Sequence, residues 1–156
     1  MNKNIEIIQP DDWHVHFREG DMLEMVTNFS SRINNRCVAI PNTEIPITDT
    51  AKASAYKELL NKASSNNFEP LIPCYLNENL DLEDFRKGMQ NKVFFGSKLY
   101  PSNATTNSSH GVSDISKIFK FLEILEEEKV LIDGTRIPRR EVRIDLKTYN
   151  LSLIHI

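Results

Sequence analysis

Two histidines and an arginine close to the N-terminus are the residues whose types and spacing best suit chemistry. His14, His16 and Arg18 occupy alternate positions, and the positions before and between them are apolar: Trp13, Val15 and Phe17. Because successive side chains of a β-strand point to opposite faces, both imidazoles are predicted to project from one face, with the guanidinium just beyond. Neutral imidazoles bind first-row metal ions, and a guanidinium grips a carboxylate through two parallel hydrogen bonds. The pattern predicts a metal site beside a carboxylate site, although the polar face of an ordinary half-exposed strand fits it equally well.

Lys98 is a second candidate, because it lies in the apolar run 94–100, where an unpaired ammonium is costly. In one interpretation its amine reaches past the strand end to solvent. In the other, the neutral amine adds to carbon dioxide and forms a carbamate, an anion whose two oxygens can bridge two metal ions. Position alone favours the first interpretation.

Composition limits the class of protein. A chain of 156 residues with 40% hydrophobic and 26% charged residues is typical of one soluble globular domain. The net charge of −3 argues against a nucleic-acid binder, and we expect no membrane span and no signal peptide. Cys37 and Cys74 each lie in an apolar run, which predicts reduced core thiols in a cytoplasmic protein.

Strand and helix patterns alternate along the chain. Strands are predicted at 37–40, 68–76 and 93–100 and at the start of a fifth unit, 130–133, and helices follow at 51–63, 82–89 and from Ser113. The first helix has apolar residues at helical spacing, which predicts its inner face: Met22, Met25, Val26, Phe29 and Ile33. Four βα units indicate a parallel α/β sheet.

Parallel α/β sheets place their chemistry at the carboxyl ends of the strands. His14, His16 and Arg18 end the first predicted strand, Asn42 follows the second and Lys98 lies near the end of the fourth. The candidates are therefore expected to meet at one edge of the sheet, which favours a site over a scatter of surface residues.

Three segments resemble the motifs of one enzyme family. Residues 11–23, 41–43 and the long run 98–112 closely resemble the single-domain bacterial-type dihydroorotases of the amidohydrolase superfamily. The resemblance implies a TIM-type (β/α)₈ barrel, of which residues 1–133 would form the first four to five βα units. It also implies two zinc ions and the reversible cyclisation of N-carbamoyl-L-aspartate to L-dihydroorotate in pyrimidine synthesis.

The resemblance assigns metal-binding roles residue by residue. His14 and His16 would bind the more buried zinc ion, and Lys98, as N6-carboxylysine, would be the catalytic group that bridges both ions. Hydroxide held between two divalent ions would attack the ring amide carbonyl. His110 follows the third motif, and we do not count it among the ligands.

The remaining motif residues are implied to handle the substrate, a small molecule. Arg18 and Asn42 would hold its carboxylate, whereas Thr105 and Thr106 would lie on a mobile loop that closes over it. A Ser-, Thr- and Asn-rich loop is also an ordinary way to leave a strand. For the full-length family the resemblance implies a homodimer, without nucleic acid or membrane as partner.

The chain departs from the family pattern at Asp133, where the family has a metal-binding histidine before glycine. Asp can bind zinc, so a metal is still possible. Residues 134–156 are predicted to be an atypical, non-native or frame-shifted tail, because arginines crowd its start: Arg136, Arg139, Arg140 and Arg143. We expect His155 in this tail not to be a ligand, and we expect no nucleic-acid contact from the arginines.

Length makes the whole activity doubtful for this chain alone. A (β/α)₈ barrel needs about 250 residues, so a later zinc histidine and a general base are missing. The chain is predicted to lack turnover and to associate through its open sheet edge. Two other functions stay open: another cyclic amidohydrolase, such as a hydantoinase or allantoinase, and a non-catalytic metal-binding or scaffold half-barrel.

Overall fold

The fold repeats strand and helix in regular alternation. The computed structural model describes residues 6–134 and 153–154, so the predictions for the arginine-rich segment and His155 lie outside the described residues. The strands are β1 (Asp11–Val15), β2 (Arg36–Ala39), β3 (Glu69–Leu71), β4 (Pro73–Leu76), β5 (Gly96–Leu99), β6 (Leu131–Gly134) and β7 (Leu153–Ile154). The helices are α1 (Gly20–Ile33), α2 (Thr50–Ala63), α3 (Leu82–Gln90) and α4 (Phe119–Glu127).

All strand pairs are parallel and follow the order of the chain. β1 pairs with β2 and β2 with β3, while β4, β5, β6 and β7 pair in succession. Ile72 alone separates β3 from β4, so the predicted strand 68–76 is one strand that changes partner midway. Pro70 and Pro73, which have no N–H to donate, flank the change. The predicted α/β class with consecutive βα units is confirmed.

The helices cover one face of the sheet. Cys37, Ala39, Cys74 and Leu76 contribute to the large apolar core that contains the buried residues of the helices. The alternate strand residues form a separate, smaller cluster on the other face: Val38, Ile40, Tyr75 and Tyr100. Both cysteines are free and buried, as predicted. Burial raises the pKa of Cys37 to about 11, which keeps it a thiol.

The predicted inner face of α1 is wrong. Its buried residues are Leu23, Thr27 and Ser31, with Val26 partly buried, whereas the other predicted core positions are more than half exposed: Met22, Met25, Phe29 and Ile33. The flank of α1 that faces α2 is polar, since Asn28 donates to Ser65 at 2.7 Å and the Ser31 hydroxyl accepts from the Ser65 amide at 3.0 Å. The apolar stripe is instead exposed.

Aspartates set the starts of the later helices. Asp49 and Asp81 accept backbone N–H bonds at the first turns of α2 and α3. The helix predicted from Ser113 begins instead with a 3-10 turn, Ile115–Ile118, which Asp114 caps, and α4 follows. Within the described residues no helix is both long and apolar enough to cross a membrane.

Candidate active site

The two histidines of the first motif meet as the alternation predicted. Nε2 of His14 lies 3.2 Å from Nε2 of His16, with the rings edge to face at 74°. Two nitrogens about 2.0–2.1 Å from one tetrahedral zinc ion would be about 3.3 Å apart. The spacing of the imidazoles therefore suits a shared metal ion.

Both imidazoles are held neutral. Burial lowers the pKa of His14, and the positive charge of Lys98 lowers it further, against the opposite effect of Asp133. Burial and the neighbouring His14 lower the pKa of His16 to about 4. Neutral imidazole is the form that binds metal ions, so the site is poised for a cation at neutral pH.

Lys98 does not extend to solvent, which excludes the first interpretation of its position. Its side chain is 3% exposed, and Nζ donates to Oδ2 of Asp133 at 2.8 Å. Tyr75, Lys98 and Asp133 occupy one register level across β4, β5 and β6. Because residues directly opposite in neighbouring strands share a face, the register itself places these three side chains together.

Asp133 also contacts the first histidine. Its Oδ2 lies 3.4 Å from Nδ1 of His14. The sequence analysis noted Asp133 only because it stands where the family has a metal-binding histidine. A carboxylate that joins His14 to Lys98 was not expected, because it depends on the strand register.

Arg18 and Asn42 form the second half of the site. Nη1 of Arg18 donates to the carbonyl of Asn42 at 3.0 Å and also to its side-chain oxygen. The Arg18 backbone has a positive φ of 62°, which is uncommon for a residue other than glycine, and Tyr56 donates to its carbonyl at 2.8 Å. Within the described chain the other guanidinium nitrogens make no hydrogen bond, so they are free to receive a carboxylate.

The loop 101–112 lies over this half of the site. The amide of Asn42 donates to the carbonyl of Thr106 at 2.9 Å, and the hydroxyl of Tyr75 donates to that of Asn107 at 3.2 Å. Thr105 forms a turn with the buried Ser108 through its backbone. The side chains of Thr105 and Thr106 are exposed, so the loop is tethered by its backbone.

Two aromatic residues of the site were missed by the sequence analysis. Tyr75 and Tyr100 are buried with ring centroids 5.0 Å apart, and Nζ of Lys98 lies 5.2 Å from the Tyr100 ring centre. The available signal was alternation along 73–76, which turns Tyr75 and Cys74 to opposite faces. His110 is exposed.

A bulge in β1 leaves Trp13 outside the apolar core that Val15 and Phe17 join. Asp12 pairs with Cys37 and Val15 with Ala39, so three steps along β1 match two along β2. Trp13 is consequently 40% exposed and lines a small cavity with Phe95 and Asp133 on the site face. Val15 and Phe17 pack in the core, as expected.

The residues present fit a metal ion in part. Among the residues that the structure describes, no three His, Cys, Asp or Glu side chains are arranged to hold one ion together. The two neutral imidazoles supply converging nitrogens, and Lys98 is the buried group beside them that carbamate formation would turn into a ligand. A full ligand set requires that conversion or further residues.

Comparison with known sequences gives dihydroorotases. Over 125 aligned residues the chain is 45% identical to the dihydroorotase of Salmonella arizonae, and the alignment covers 79% of this chain and 36% of that protein. The dihydroorotase of Escherichia fergusonii gives the same identity and coverage. The chain thus spans about a third of the length of these curated relatives. No protein-family model matches it.

Comparison with solved structures gives the same family. A dihydroorotase from Campylobacter jejuni superposes with a TM-score of 0.76 at 30% identity, covering 90% of this chain and 42% of that one. The Saccharomyces cerevisiae dihydroorotase in complex with 5-fluoroorotic acid gives 0.74 at 28% identity, covering 85% and 38%. An L-hydantoinase from Arthrobacter aurescens, at 14% identity and a TM-score of 0.64 over 81% of this chain and 28% of that one, shares the fold.

Proposed function

We propose that this chain, similar over 79% of its length to bacterial dihydroorotases, is the N-terminal part of a cyclic amide hydrolase of that kind. The complete enzyme would interconvert N-carbamoyl-L-aspartate and L-dihydroorotate in pyrimidine synthesis. The observation that carries the proposal is the meeting of His14, His16 and Lys98 at one sheet edge, beside the Arg18–Asn42 pair.

Arg18 and Asn42 are proposed to bind the substrate carboxylate. The free guanidinium nitrogens of Arg18 supply two parallel donors, and the bond to Asn42 fixes the plane of the guanidinium. This grip orients the ring amide toward the histidines, which is how positioning groups lower a barrier.

The metal ligands are proposed to be His14, His16 and Lys98, with two zinc ions in the complete site. Lys98 would serve as a carbamate, which forms when its neutral amine adds to carbon dioxide and loses one proton. To do so, the amine must first leave the carboxylate of Asp133. The chemistry that zinc supplies when bound is polarisation of a carbonyl and deprotonation of water at neutral pH.

The loop 101–112 is proposed to exclude water from the bound substrate, with Thr105 and Thr106 as its substrate-contacting residues. Asn42 holds both the loop, through the carbonyl of Thr106, and the guanidinium of Arg18. Binding of a carboxylate to Arg18 would therefore affect the loop through the side chain of Asn42. This arrangement suits closure on substrate binding.

Further parts of the proposal concern the whole protein. We place the activity in the cytoplasm, with a small-molecule substrate and a homodimer as the complete enzyme. We assign residues 1–133 to the barrel and regard residues 134–156 as foreign to it. The chain alone is expected to show no turnover of dihydroorotate with added zinc, and a rate near that of a complete enzyme would contradict this.

A chimera tests the function directly. It joins residues 1–130 of this chain to the complementary C-terminal part of the Escherichia fergusonii dihydroorotase and is assayed with dihydroorotate and with hydantoin. We expect hydrolysis of dihydroorotate and little of hydantoin, and loss of that rate in the His16→Ala and Lys98→Ala variants. Lys87→Ala, in the exposed Lys87–Glu83 pair, is the control that leaves the rate unchanged.

Two results would overturn the proposal. A folded, zinc-loaded chimera that hydrolyses hydantoin in preference would make this chain part of another cyclic amidohydrolase. One that hydrolyses neither substrate would favour a scaffold role.

A further inference from the structure

We propose that Asp133 is a positioning residue: it orients His14 through Nδ1, so that the Nε2 lone pair faces the metal position, and is not itself a ligand. The inference rests on the proposed metal centre. It concerns a residue at which this chain departs from the family pattern, and it assigns that residue a different task from the histidine it replaces.

The geometry separates Asp133 from the place where the imidazoles converge. His14 presents Nε2 to His16 at 3.2 Å and Nδ1 to Asp133 at 3.4 Å. These two nitrogens lie on different edges of one ring, so Asp133 and His16 contact different sides of His14.

A carboxylate at Nδ1 fixes the tautomer of the ring. Nδ1 of His14 is buried, forms no hydrogen bond within the described residues, and has Oδ2 of Asp133 at 3.4 Å as its acidic neighbour. We place the proton on this nitrogen, which leaves Nε2 as the acceptor. Metal-binding histidines commonly donate their second N–H to a carboxylate in this way, which aligns the ring and strengthens it as a ligand. The distance of 3.4 Å suits a contact that shortens when a cation at Nε2 polarises the ring.

In the chain whose Lys98 is not carbamylated, Lys98 holds the carboxylate in place. Nζ of Lys98 donates to the same Oδ2 at 2.8 Å, and the strand register puts the two residues directly opposite each other. The Asp133 side chain is only 14% exposed, so solvent competes weakly for it. Lys98, Asp133 and His14 thus form a chain of contacts that ends at the metal-facing nitrogen.

The first test needs no metal. In the purified full chain labelled with ¹⁵N, long-range ¹H–¹⁵N spectra report which nitrogen of His14 carries the proton. We expect the Nδ1–H form in the unsubstituted chain and a mixture of both tautomers in Asp133→Ala. An Nε2–H form in the unsubstituted chain, or no change in Asp133→Ala, would overturn the proposal.

The second test measures zinc affinity by competition with a chelator and records the Co²⁺ absorption spectrum. In bicarbonate-free buffer, where Lys98 forms no carbamate, Asp133→Ala should weaken zinc binding roughly 10- to 100-fold and leave the shape of the Co²⁺ spectrum unchanged. Asp133→Asn keeps the shape of the side chain, and its zinc affinity should lie between those of the unsubstituted chain and of Asp133→Ala. This variant keeps the test valid if Asp133→Ala does not fold. Asp11→Ala is the matched control, because Asp11 pairs with Arg36 at the opposite end of β1.

The outcomes separate this inference from the proposed function. Affinity within a factor of about three in a folded Asp133→Ala chain, or a Co²⁺ spectrum that loses an oxygen ligand, would overturn the positioning role and leave the metal centre standing. A zinc affinity that is unchanged in His14→Ala and in His16→Ala would overturn the metal centre as well.

Discussion

Burial lowers the affinity of the His16 imidazole for a proton, and this property can be tested without any substrate. The pKa of His16 is about 4 in the folded chain, against an ordinary value of 6.5. Between these two values the unfolded chain binds a proton that the folded chain does not. Since stability rises with pH wherever the unfolded state binds more protons, His16 stabilises the fold fully above pH 6.5 and less as the pH falls toward 4.

The first prediction follows from this sign. The free energy of unfolding, measured by urea titration between pH 7 and pH 4, should fall less steeply in His16→Gln than in the unsubstituted chain. Folding lowers the pKa of carboxylates such as Asp49 and Glu78, so they contribute less stability only near the acid end of this range and do so equally in both proteins. The difference between the two curves therefore reports on His16. Parallel curves for the two proteins would show that the imidazole is protonated equally in both states.

A second prediction concerns the modification of Lys98. Its amine is engaged by Asp133 at 2.8 Å, and an ammonium in an ion pair does not add to carbon dioxide. Asp133→His removes the carboxylate and restores the residue type that the family has at this position. We therefore expect more carbamate in Asp133→His than in the unsubstituted chain, when both are supplied with zinc and ¹³C-bicarbonate.

The measurement is the ¹³C carbamate signal together with the mass of one added CO₂. Lys98→Arg in the Asp133→His background is the control, because a guanidinium does not form a carbamate. Equal signals in the unsubstituted chain and in Asp133→His would contradict the competition between ion pair and carbamate.

Among the elements, the loop 101–112 depends on two side-chain tethers, from Asn42 and Tyr75. Burial raises the pKa of Tyr75 to about 12, so its hydroxyl remains a donor to the carbonyl of Asn107. Tyr75→Phe keeps the ring and its packing against Tyr100 and removes only this bond, worth about 1 kcal/mol. We expect faster hydrogen exchange within 102–111, roughly fivefold at most, given that magnitude.

Tyr56→Phe is the matched control for this third prediction. It removes the hydroxyl of another buried tyrosine, whose bond goes to the backbone carbonyl of Arg18 and not to the loop. Exchange in the loop should therefore be unchanged. A loop that exchanges at the same rate in Tyr75→Phe as in the unsubstituted chain would show that Asn42 holds it alone.

The elements also show why some sequence expectations succeeded. The contact between the side chains of His14 and His16 depends only on strand alternation, a local property that sequence spacing specifies. Trp13 breaks the same rule because a bulge depends on how β1 pairs with β2, which the spacing does not contain. The contact of Asp133 with Lys98 likewise depends on register between β5 and β6.

Helix α1 shows a further limit of pattern analysis. Helical spacing correctly puts Met22, Phe29 and Ile33 on one side, but it does not say which neighbour that side meets. The residues of α1 that are buried are instead Leu23, Thr27 and Ser31, two of them small and polar. The side facing a neighbour is a property of the assembled fold.

At the scale of the whole molecule, two features are left uncovered within the described residues: the apolar stripe of α1 and one edge of β1. Among the described strands β1 pairs only with β2, so its other edge is free. The apolar stripe of α1 is exposed, as Phe29 and Met25 show with exposures of 59% and 56%. A free strand edge and a stripe of exposed apolar side chains each favour association.

The last prediction concerns this surface. Burial of Met25 and Phe29 in a contact would contribute about 1.5–3 kcal/mol for each side chain, so Met25→Lys with Phe29→Glu should weaken self-association at least about tenfold. Sedimentation velocity over a concentration series measures the effect. Leu59→Glu on α2 is the control, because Leu59 is 51% exposed and lies outside the stripe. If Leu59→Glu dispersed the protein as well as the double variant does, added charge rather than loss of the stripe would be the cause.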